Sequence, residues 1–187
     1  EIGNCSLLDD ATAAAEAMLM MFALRSREAV KEGRNQLFVD ENIFPQVLDL
    51  LMTRSEPYGI EIISDNYAEY EFSGKEFGAF VQYPAADGEV RDYEAFAAKA
   101  HEAGALVTAY SDLLSLALLK APGEWGADIA CGDGQTLDMP MNYGGPYVGF
   151  LACKKEHVRK LPGRVVGATR DVDGKRAFVL TLQAREQ

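Results

Sequence analysis

Short apolar runs alternate with longer amphipathic runs along most of this chain, which is the pattern of strands joined by helices. The apolar runs predict strands at residues 37–39, 60–64, 79–83, 105–110, 129–131 and 147–152. Helical patterns cover 45–54, 92–103 and a run from Ser111 or Asp112 to 119, followed by a short basic helix at 154–160. Residues 165–182 predict a hairpin around Asp173 and Gly174. Helices between apolar strands are typical of βαβ units, so we expect one α/β domain over 1–187 with a mainly parallel sheet.

The first long helix is expected to begin near residue 10. Asp9, Asp10 and Thr12 supply capping oxygens ahead of an alanine-rich run, and Gly33 is the predicted stop. The free N–H groups at such a helix start could instead hold a phosphate. Two aspartates at that point would repel an anion, so plain capping is the favoured interpretation.

A loop rich in Gly, Pro and Asn separates the predicted strands at 129–131 and 147–152. Gly144 and Gly145 have no Cβ and permit positive φ, and Pro146 fixes the following turn. Two interpretations are open. The loop is either a β-turn with packing glycines, or a place where bare backbone approaches a ligand or a partner closely.

Charge and cysteine content exclude several classes of protein. The 187 residues carry 29 acidic and 18 basic side chains, a formal net charge of −11. Without a concentrated basic face, nucleic acid and anionic membranes are not expected partners. Three widely spaced cysteines indicate reduced thiols in a cytoplasm-like compartment. No apolar run is long enough to span a membrane, and Glu1 in place of Met suggests a piece cut from a longer chain.

Ligands in open α/β sheets bind beyond the carboxyl ends of the strands. The polar or loop residues expected there are Asp40, Asp65, Asn66, Pro84, Ser111, Asp112, Asp133, Gln135 and Asn142. This set holds few nucleophiles or bases, and the two histidines, His101 and His157, lie on predicted helices away from it. Cys131, within an apolar strand, is expected to be a core residue. No zinc ligand pattern, Gly-x-Gly-x-x-Gly fingerprint or Walker motif is present.

Six segments together resemble one known family. They are SLLDDATAAAEAM (6–18), VQYPAADGEVRDY (81–93), APGEWGADI (121–129), PMNYGGPYVGFLA (140–152) and LPGRVVGATRD with LTLQAREQ (161–171, 180–187). In this order they resemble the P-protein of the glycine cleavage system, glycine dehydrogenase (decarboxylating). The resemblance implies the large domain of a fold-type I pyridoxal-phosphate enzyme. We therefore expect three α/β/α layers around a mainly parallel seven-stranded sheet, with 147–152 as its one antiparallel strand.

The same resemblance implies that this chain lacks the cofactor. In the cofactor-bearing half of the family, a His-Lys-Thr motif supplies the Schiff-base lysine, and the matching place here reads Gly134-Gln135-Thr136. The aspartate that holds the pyridine nitrogen matches Ala109, with Asp112 three residues further on. Thr12 marks a vestigial anion position. The chain therefore resembles the large-domain portion of the N-terminal half, or of the separate first subunit, with no catalytic residue and no metal expected.

By resemblance, the whole enzyme decarboxylates glycine and passes the aminomethyl group to the lipoyl arm of the H-protein. This half would supply interface, pocket wall or regulation, and Asn142, Tyr143, Gly144 and Gly145 would face the cofactor-bearing half. We expect the isolated chain to self-associate, and the enzyme to be cytoplasmic, or in the mitochondrial matrix if eukaryotic. The alternative is a free-standing binding or scaffold module with the same fold. An active enzyme that uses Lys120, Lys154 or Lys155 is disfavoured, because none lies at the matching loop.

Overall fold

A seven-stranded sheet forms the centre of the computed structural model, which describes residues 2–140, 147–163 and 165–181. The strands are β1 (Ile2–Leu7), β2 (Gln36–Asp40), β3 (Glu61–Asp65), β4 (Glu76–Tyr83), β5 (Leu106–Ser111), β6 (Ile129–Asp133) and β7 (Gly149–Cys153). Their order across the sheet is β1-β7-β6-β5-β4-β2-β3. β7 runs antiparallel to both of its neighbours, and the remaining pairs are parallel. The expected seven-stranded sheet with one antiparallel strand is confirmed.

Helices cover the two faces of this sheet and complete the expected three layers. α1 (Asp10–Ala23) and α3 (Pro45–Ser55) pack on one face, where Met18 and Met21 of α1 are fully buried. α4 (Glu94–Glu102) packs on the other face, where Phe96 joins an aromatic cluster around the fully buried Phe38. All eight residues of β4 are buried between the layers. Such a strand, covered on both faces, is typical of parallel α/β sheets.

The first helix ends ten residues earlier than the predicted stop at Gly33. α1 stops at Ala23, and a separate short helix, α2 (Arg27–Lys31), follows. The Arg25 guanidinium donates to the carbonyl oxygens of Phe22 and Arg34, both at 2.8 Å, and so caps the last turn of α1. Ser26 then starts α2, because its Oγ accepts a hydrogen bond from the backbone N–H of Ala29 at 3.1 Å.

The helix predicted from Ser111 or Asp112 to 119 is wrong. Only one 3₁₀ turn forms there, Ser115–Ala117. The Asp112 carboxylate accepts from the N–H of Leu114 at 2.9 Å and makes a local turn. Leu114 is 52% and Leu118 92% exposed, so part of the apolar surface that a helix here would present is not covered by the described chain.

Two other segments differ from the sequence-based expectation. β1 was not predicted; it lies at the edge of the sheet, where it pairs with β7 alone. The connection at 121–126, for which no helix or strand is predicted, buries Pro122 and Trp125 in the described chain. Residues 155–160 form a 3₁₀ helix, Lys155–Lys160. The predicted hairpin is confirmed as β8 (Val165–Arg170) and β9 (Arg176–Thr181), turning at Gly174 with φ of 79°.

Candidate functional site

A cleft of about 390 Å³ lies at the carboxyl ends of β4, β5 and β6. Its position is the one expected for ligand sites in open α/β sheets. The lining residues are Phe44, Gln82, Pro84, Ala85, Ala86, Gly88, Tyr110, Ser111, Asp112, Asp133, Gln135 and Thr136. Among these, aspartates supply all of the charge. The cleft therefore favours cations over anions.

The start of α1, near the cleft, is closed by its own side chains. Asp9 and Thr12 form a capping box, in which Asp9 Oδ1 accepts from the Thr12 N–H at 2.8 Å and Thr12 Oγ1 accepts from the Asp9 N–H at 3.0 Å. The Ala11 N–H donates to Asp10 Oδ1 at 2.8 Å. Capping is therefore observed, as the sequence favoured. The N–H groups of Ala11 and Thr12 are already paired, and two carboxylates surround them.

Tyr110 links β5 to this helix start. Its hydroxyl donates to Asp10 Oδ2 at 2.5 Å, across 100 positions of sequence. Burial, the hydrogen bond to Asp10 and the charge of Asp10 raise the pKa of the Tyr110 hydroxyl well above its usual value. The hydroxyl therefore stays protonated and serves as a donor. Sequence reasoning did not single out Tyr110, because its partner Asp10 lies far away in the chain.

Asp112 and Gln135 are both held by local hydrogen bonds. Asp112 Oδ1 accepts from Thr136 Oγ1 at 2.7 Å and so joins the loops that follow β5 and β6. The Gln135 amide donates from Nε2 to the carbonyl oxygen of Met139 at 3.3 Å. The structure thus brings Asp112 and Gln135 together at one cleft, whereas Thr12, in the first turn of α1, is not among the lining residues.

Asp133 is the carboxylate with the fewest partners at the cleft. Its Oδ1 accepts from the Gln135 N–H at 2.7 Å. Burial raises its pKa, and the negative charges of Asp10, Asp112 and Asp9 raise it further, although the Gln135 hydrogen bond acts in the opposite direction. The positive countercharge that would lower it is missing from the described surroundings.

Ala109 lies apart from this cluster, in the middle of β5. It is fully buried, pairs with Val81 of β4 and Ala130 of β6, and belongs to the apolar cluster around Tyr93 and Trp125. No carboxylate is present at this position. Asn142, Tyr143, Gly144 and Gly145, the predicted pocket loop, lie outside the described residues.

Away from the cleft, the candidates His101 and Cys131 contribute to the packing of the domain. Buried Asp128 accepts from His101 Nε2 at 2.8 Å, the Val107 N–H at 2.8 Å and Lys154 Nζ at 2.6 Å, which ties α4, β5 and β7 together. Cys131 is fully buried, as expected, and burial raises the pKa of its thiol. Within residues 2–140, 147–163 and 165–181, no group of three or more acidic, His or Cys side chains is placed to hold a metal ion. None of the helices described there has the length and hydropathy of a membrane span.

Comparison with solved structures defines the class of this domain. A methionine gamma lyase from Micromonospora echinospora matches 83% of the chain with a TM-score of 0.62 at 15% identity, which shows a common fold alone. The crystal structure of glycine decarboxylase (P-protein) of the glycine cleavage system, in inhibitor-bound form, matches 99% of the chain with a TM-score of 0.87 at 44% identity. The chain has the large-domain fold of the fold-type I pyridoxal-phosphate enzymes.

Sequence comparison gives the family. The model of the glycine cleavage system P-protein matches residues 1–187. Glycine dehydrogenase (decarboxylating) from Bacteroides thetaiotaomicron is 53% identical over 186 residues, and the enzyme of the same name from Nostoc sp. is 49% identical over 187. The chain therefore belongs to the glycine cleavage system P-protein family. It covers 20% and 18% of the length of these two relatives, and 42% of the crystallised P-protein.

Proposed function

We propose that this chain is part of a glycine dehydrogenase (decarboxylating) and belongs to the half of that enzyme that carries no pyridoxal phosphate. Gln135 is the observation that carries the proposal. Its neutral amide stands at the position that matches the Schiff-base lysine in the family resemblance, and it is bonded to the Met139 carbonyl. An amide nitrogen cannot form an imine with an aldehyde, so the covalent attachment of the cofactor is lost.

The helix start supports the same conclusion independently. A phosphate needs free N–H groups and positive potential at a helix N-terminus. The N–H groups of Ala11 and Thr12 already donate to carboxylates, and Asp9 and Asp10 add two negative charges. Ala109 adds a third disagreement, because an apolar side chain cannot stabilise a protonated pyridine nitrogen. The residues present therefore do not fit the cofactor at three separate points.

The role that remains is that of a supporting half. We propose that the cofactor-bearing half of the P-protein packs against the carboxyl edge of this sheet, and that the lipoyl arm of the H-protein passes between them. Asn142, Tyr143, Gly144 and Gly145 are proposed to face that half, since a loop with bare glycine backbone allows close approach. Because the relatives compared are bacterial, we assign the assembly to the cytoplasm.

Borohydride trapping tests the absence of a Schiff base. The purified chain is incubated with pyridoxal phosphate, reduced and digested, and modified lysines are located by mass spectrometry. We expect scattered or absent labelling, whereas the cofactor-bearing half, treated in parallel, labels at one lysine. Stoichiometric labelling of a single lysine in this chain would refute the proposal.

A Gln135→Lys variant separates the effect of the missing lysine from the effect of the closed start of α1. If the closed helix start also excludes the cofactor, the new lysine stays weakly labelled. Strong labelling of Gln135→Lys alone would mean that the amide is the main obstacle. Glu69→Lys, an exposed site without a described side-chain partner, is the control for background reaction with an added lysine.

Self-association of the isolated chain follows from the same role. Large apolar side chains are exposed where a partner is proposed to pack, including Leu118 and Leu8. Sedimentation velocity should therefore show concentration-dependent dimers or larger species, and addition of the cofactor-bearing half should replace them by a mixed complex. A chain that remains monomeric and does not bind the cofactor-bearing half would contradict the proposed pairing.

A further inference from the structure

The cleft at the carboxyl edge carries uncompensated negative charge. Asp112 and Asp133 are its only charged lining residues among those described, and Asp10 and Asp9 lie behind them at the start of α1. The raised pKa of Asp133 has the charges of Asp10, Asp112 and Asp9 among its causes, after burial. No lysine, arginine or histidine of the described chain lines the cleft.

A second observation, independent of the charge, also indicates an absent ligand. Ser111 lines the cleft, is 1% exposed, and its Oγ has no hydrogen-bond partner within the described residues. Leaving a buried hydroxyl unpaired is unfavourable, so such groups are normally hydrogen-bonded. An N–H donor that reaches Ser111 Oγ from the cleft would supply the missing hydrogen bond.

Apolar side chains are exposed in the segments that follow the carboxyl ends of the strands. Exposed large side chains follow the ends of several strands at this edge of the sheet: Leu8 after β1, Val90 after β4, Leu114 and Leu118 after β5, and Leu137 after β6. Phe44, after β2, is partly exposed and lines the cleft itself. Exposed apolar side chains such as these, which we call the apolar rim, are typical of a surface that binds protein.

We propose that this edge binds a partner polypeptide that inserts one arginine or lysine side chain between Asp112 and Asp133. Apolar side chains of the same partner segment cover Leu114, Leu118 and Leu137. Only the identity of the partner, the cofactor-bearing half, rests on the proposed function. A metal ion is disfavoured, because no described group of three or more ligands surrounds the cleft. The proposed cationic side chain is opposite in charge to the phosphate that a pyridoxal-phosphate site would hold.

Peptide and small-molecule probes distinguish a polypeptide from a free amine. Amide resonances of the isotope-labelled chain are followed during titration with n-butylguanidinium, with a capped Leu-Ala-Arg-Ala-Leu peptide and with its Leu-Ala-Gln-Ala-Leu counterpart. We expect n-butylguanidinium to shift the resonances of Asp133 and Gln135, and the arginine peptide to bind about ten-fold more tightly than the glutamine peptide. Equal binding of the two peptides, or no shifts at the cleft, would overturn the proposal.

Variants locate the two parts of the surface. Asp133→Asn should weaken both n-butylguanidinium and the arginine peptide about ten-fold, while Asp49→Asn, an exposed site on α3, should change neither. Leu118→Ser should weaken the arginine peptide alone. If Leu118→Ser has no effect and n-butylguanidinium binds as tightly as the peptide, the cleft is a small-amine site and the polypeptide proposal is wrong.

The outcome is separable from that of the proposed function. Stoichiometric trapping of pyridoxal phosphate on one lysine would refute the proposed function and leave arginine selectivity at Asp133 unaffected. Loss of that selectivity would refute the present proposal while the chain still failed to label. The chain can also be mixed with the cofactor-bearing half. If Asp133→Asn and Leu118→Ser both reduce the fraction of mixed complex, the partner proposed for this edge is the cofactor-bearing half.

Discussion

Glu76 is the buried charge whose removal gives the sharpest stability prediction. It is fully buried at the start of β4, and its carboxylate collects four hydrogen bonds from the preceding loop. Oε1 accepts from Tyr70 Oη at 2.7 Å, Ser73 Oγ at 2.9 Å and the Ser73 N–H at 3.2 Å, and Oε2 accepts from the Gly74 N–H at 3.0 Å. This carboxylate holds the loop after β3 against the sheet.

Glu76→Gln keeps the shape of the side chain and removes the charge. The new NH₂ group can donate but not accept, so in either orientation it faces at least one donor, such as the Gly74 N–H. An unpaired buried donor costs roughly 1–3 kcal/mol. The remaining hydrogen bonds lose their charge assistance, which is worth about half of their strength, but a neutral amide is easier to bury than a carboxylate. The expected net loss in free energy of unfolding is about 2 kcal/mol.

The pH dependence of this effect has a definite sign. Burial alone would raise the pKa of Glu76, but the hydrogen bonds from Tyr70 and Ser73 outweigh it and hold the pKa below its usual value. The folded pKa lies below that of an unfolded glutamate, about 4.3, so the stabilisation is complete above the unfolded value. It is lost as the pH falls through the lowered folded value.

Urea unfolding of the wild type and Glu76→Gln measures both quantities. At neutral pH the variant should have a midpoint about 1 M lower, for a slope of about 2 kcal/mol/M. The difference should shrink in acid, as Glu76 itself becomes protonated. Exposed Glu69→Gln is the control and should change stability by less than about 0.5 kcal/mol. Equal stability of Glu76→Gln and wild type at neutral pH, or a difference that persists unchanged in acid, would refute the reasoning.

Three further changes test the packing, each by urea unfolding. Asp128→Asn keeps the side-chain volume but weakens the hydrogen bonds to the Val107 N–H and Lys154, so the free energy of unfolding should fall by about 1–3 kcal/mol. If Lys154→Met also lowers the free energy of unfolding, part of the loss in Asp128→Asn is due to the ion pair. Gly78→Ala places a Cβ 2.7 Å from Met21 Sδ and should cost about 1–3 kcal/mol, unless Met21 finds another rotamer. Met18→Ala empties a fully buried site and should cost about 2–5 kcal/mol; a smaller loss would mean that α1 collapses into the space.

The core elements of the fold could be predicted from the sequence, because their apolar residues are consecutive. β4 is buried on both faces, and residues 79–83 are apolar except for Gln82. β1 could not be recognised in the same way. It is an edge strand in which Asn4 is the only buried residue, and its place depends on pairing with β7, about 150 positions away.

The error at 112–119 has the opposite cause. The leucine-rich run has high helix propensity, but a short helix is stable only if its apolar face is buried. In the described chain Leu114 and Leu118 find no such layer, and the Asp112 carboxylate pairs with the Leu114 N–H in a local turn. The same leucines become part of the proposed binding rim, so this failure of local prediction coincides with the surface that a partner is proposed to cover.

The candidate site was predictable only in part. The identity of each site residue can be read directly from the sequence, whereas the contacts between these residues join distant parts of the chain. The family resemblance implies that Gln135 and Ala109 depart from a cofactor site and that Thr12 marks a vestigial anion position. The pairing of Tyr110 with Asp10 joins residues 100 positions apart. That contact depends on the packing of α1 on β5 and β6, and this packing cannot be predicted from a local sequence pattern.

The proposed replacement of a cofactor pocket by an acidic cleft would not require loss of the fold, because the fold and the cleft depend on different residues. α1 is held by its buried face, including Met18 and Met21, whereas its binding properties are set by the three residues at its start. A capping box stabilises a helix start by about 1 kcal/mol, which a phosphate site forgoes by leaving the N–H groups free. Once no cofactor is bound, aspartates at these positions are therefore favoured. A single Gln135→Lys change would restore the amine while leaving this closed, negative helix start in place.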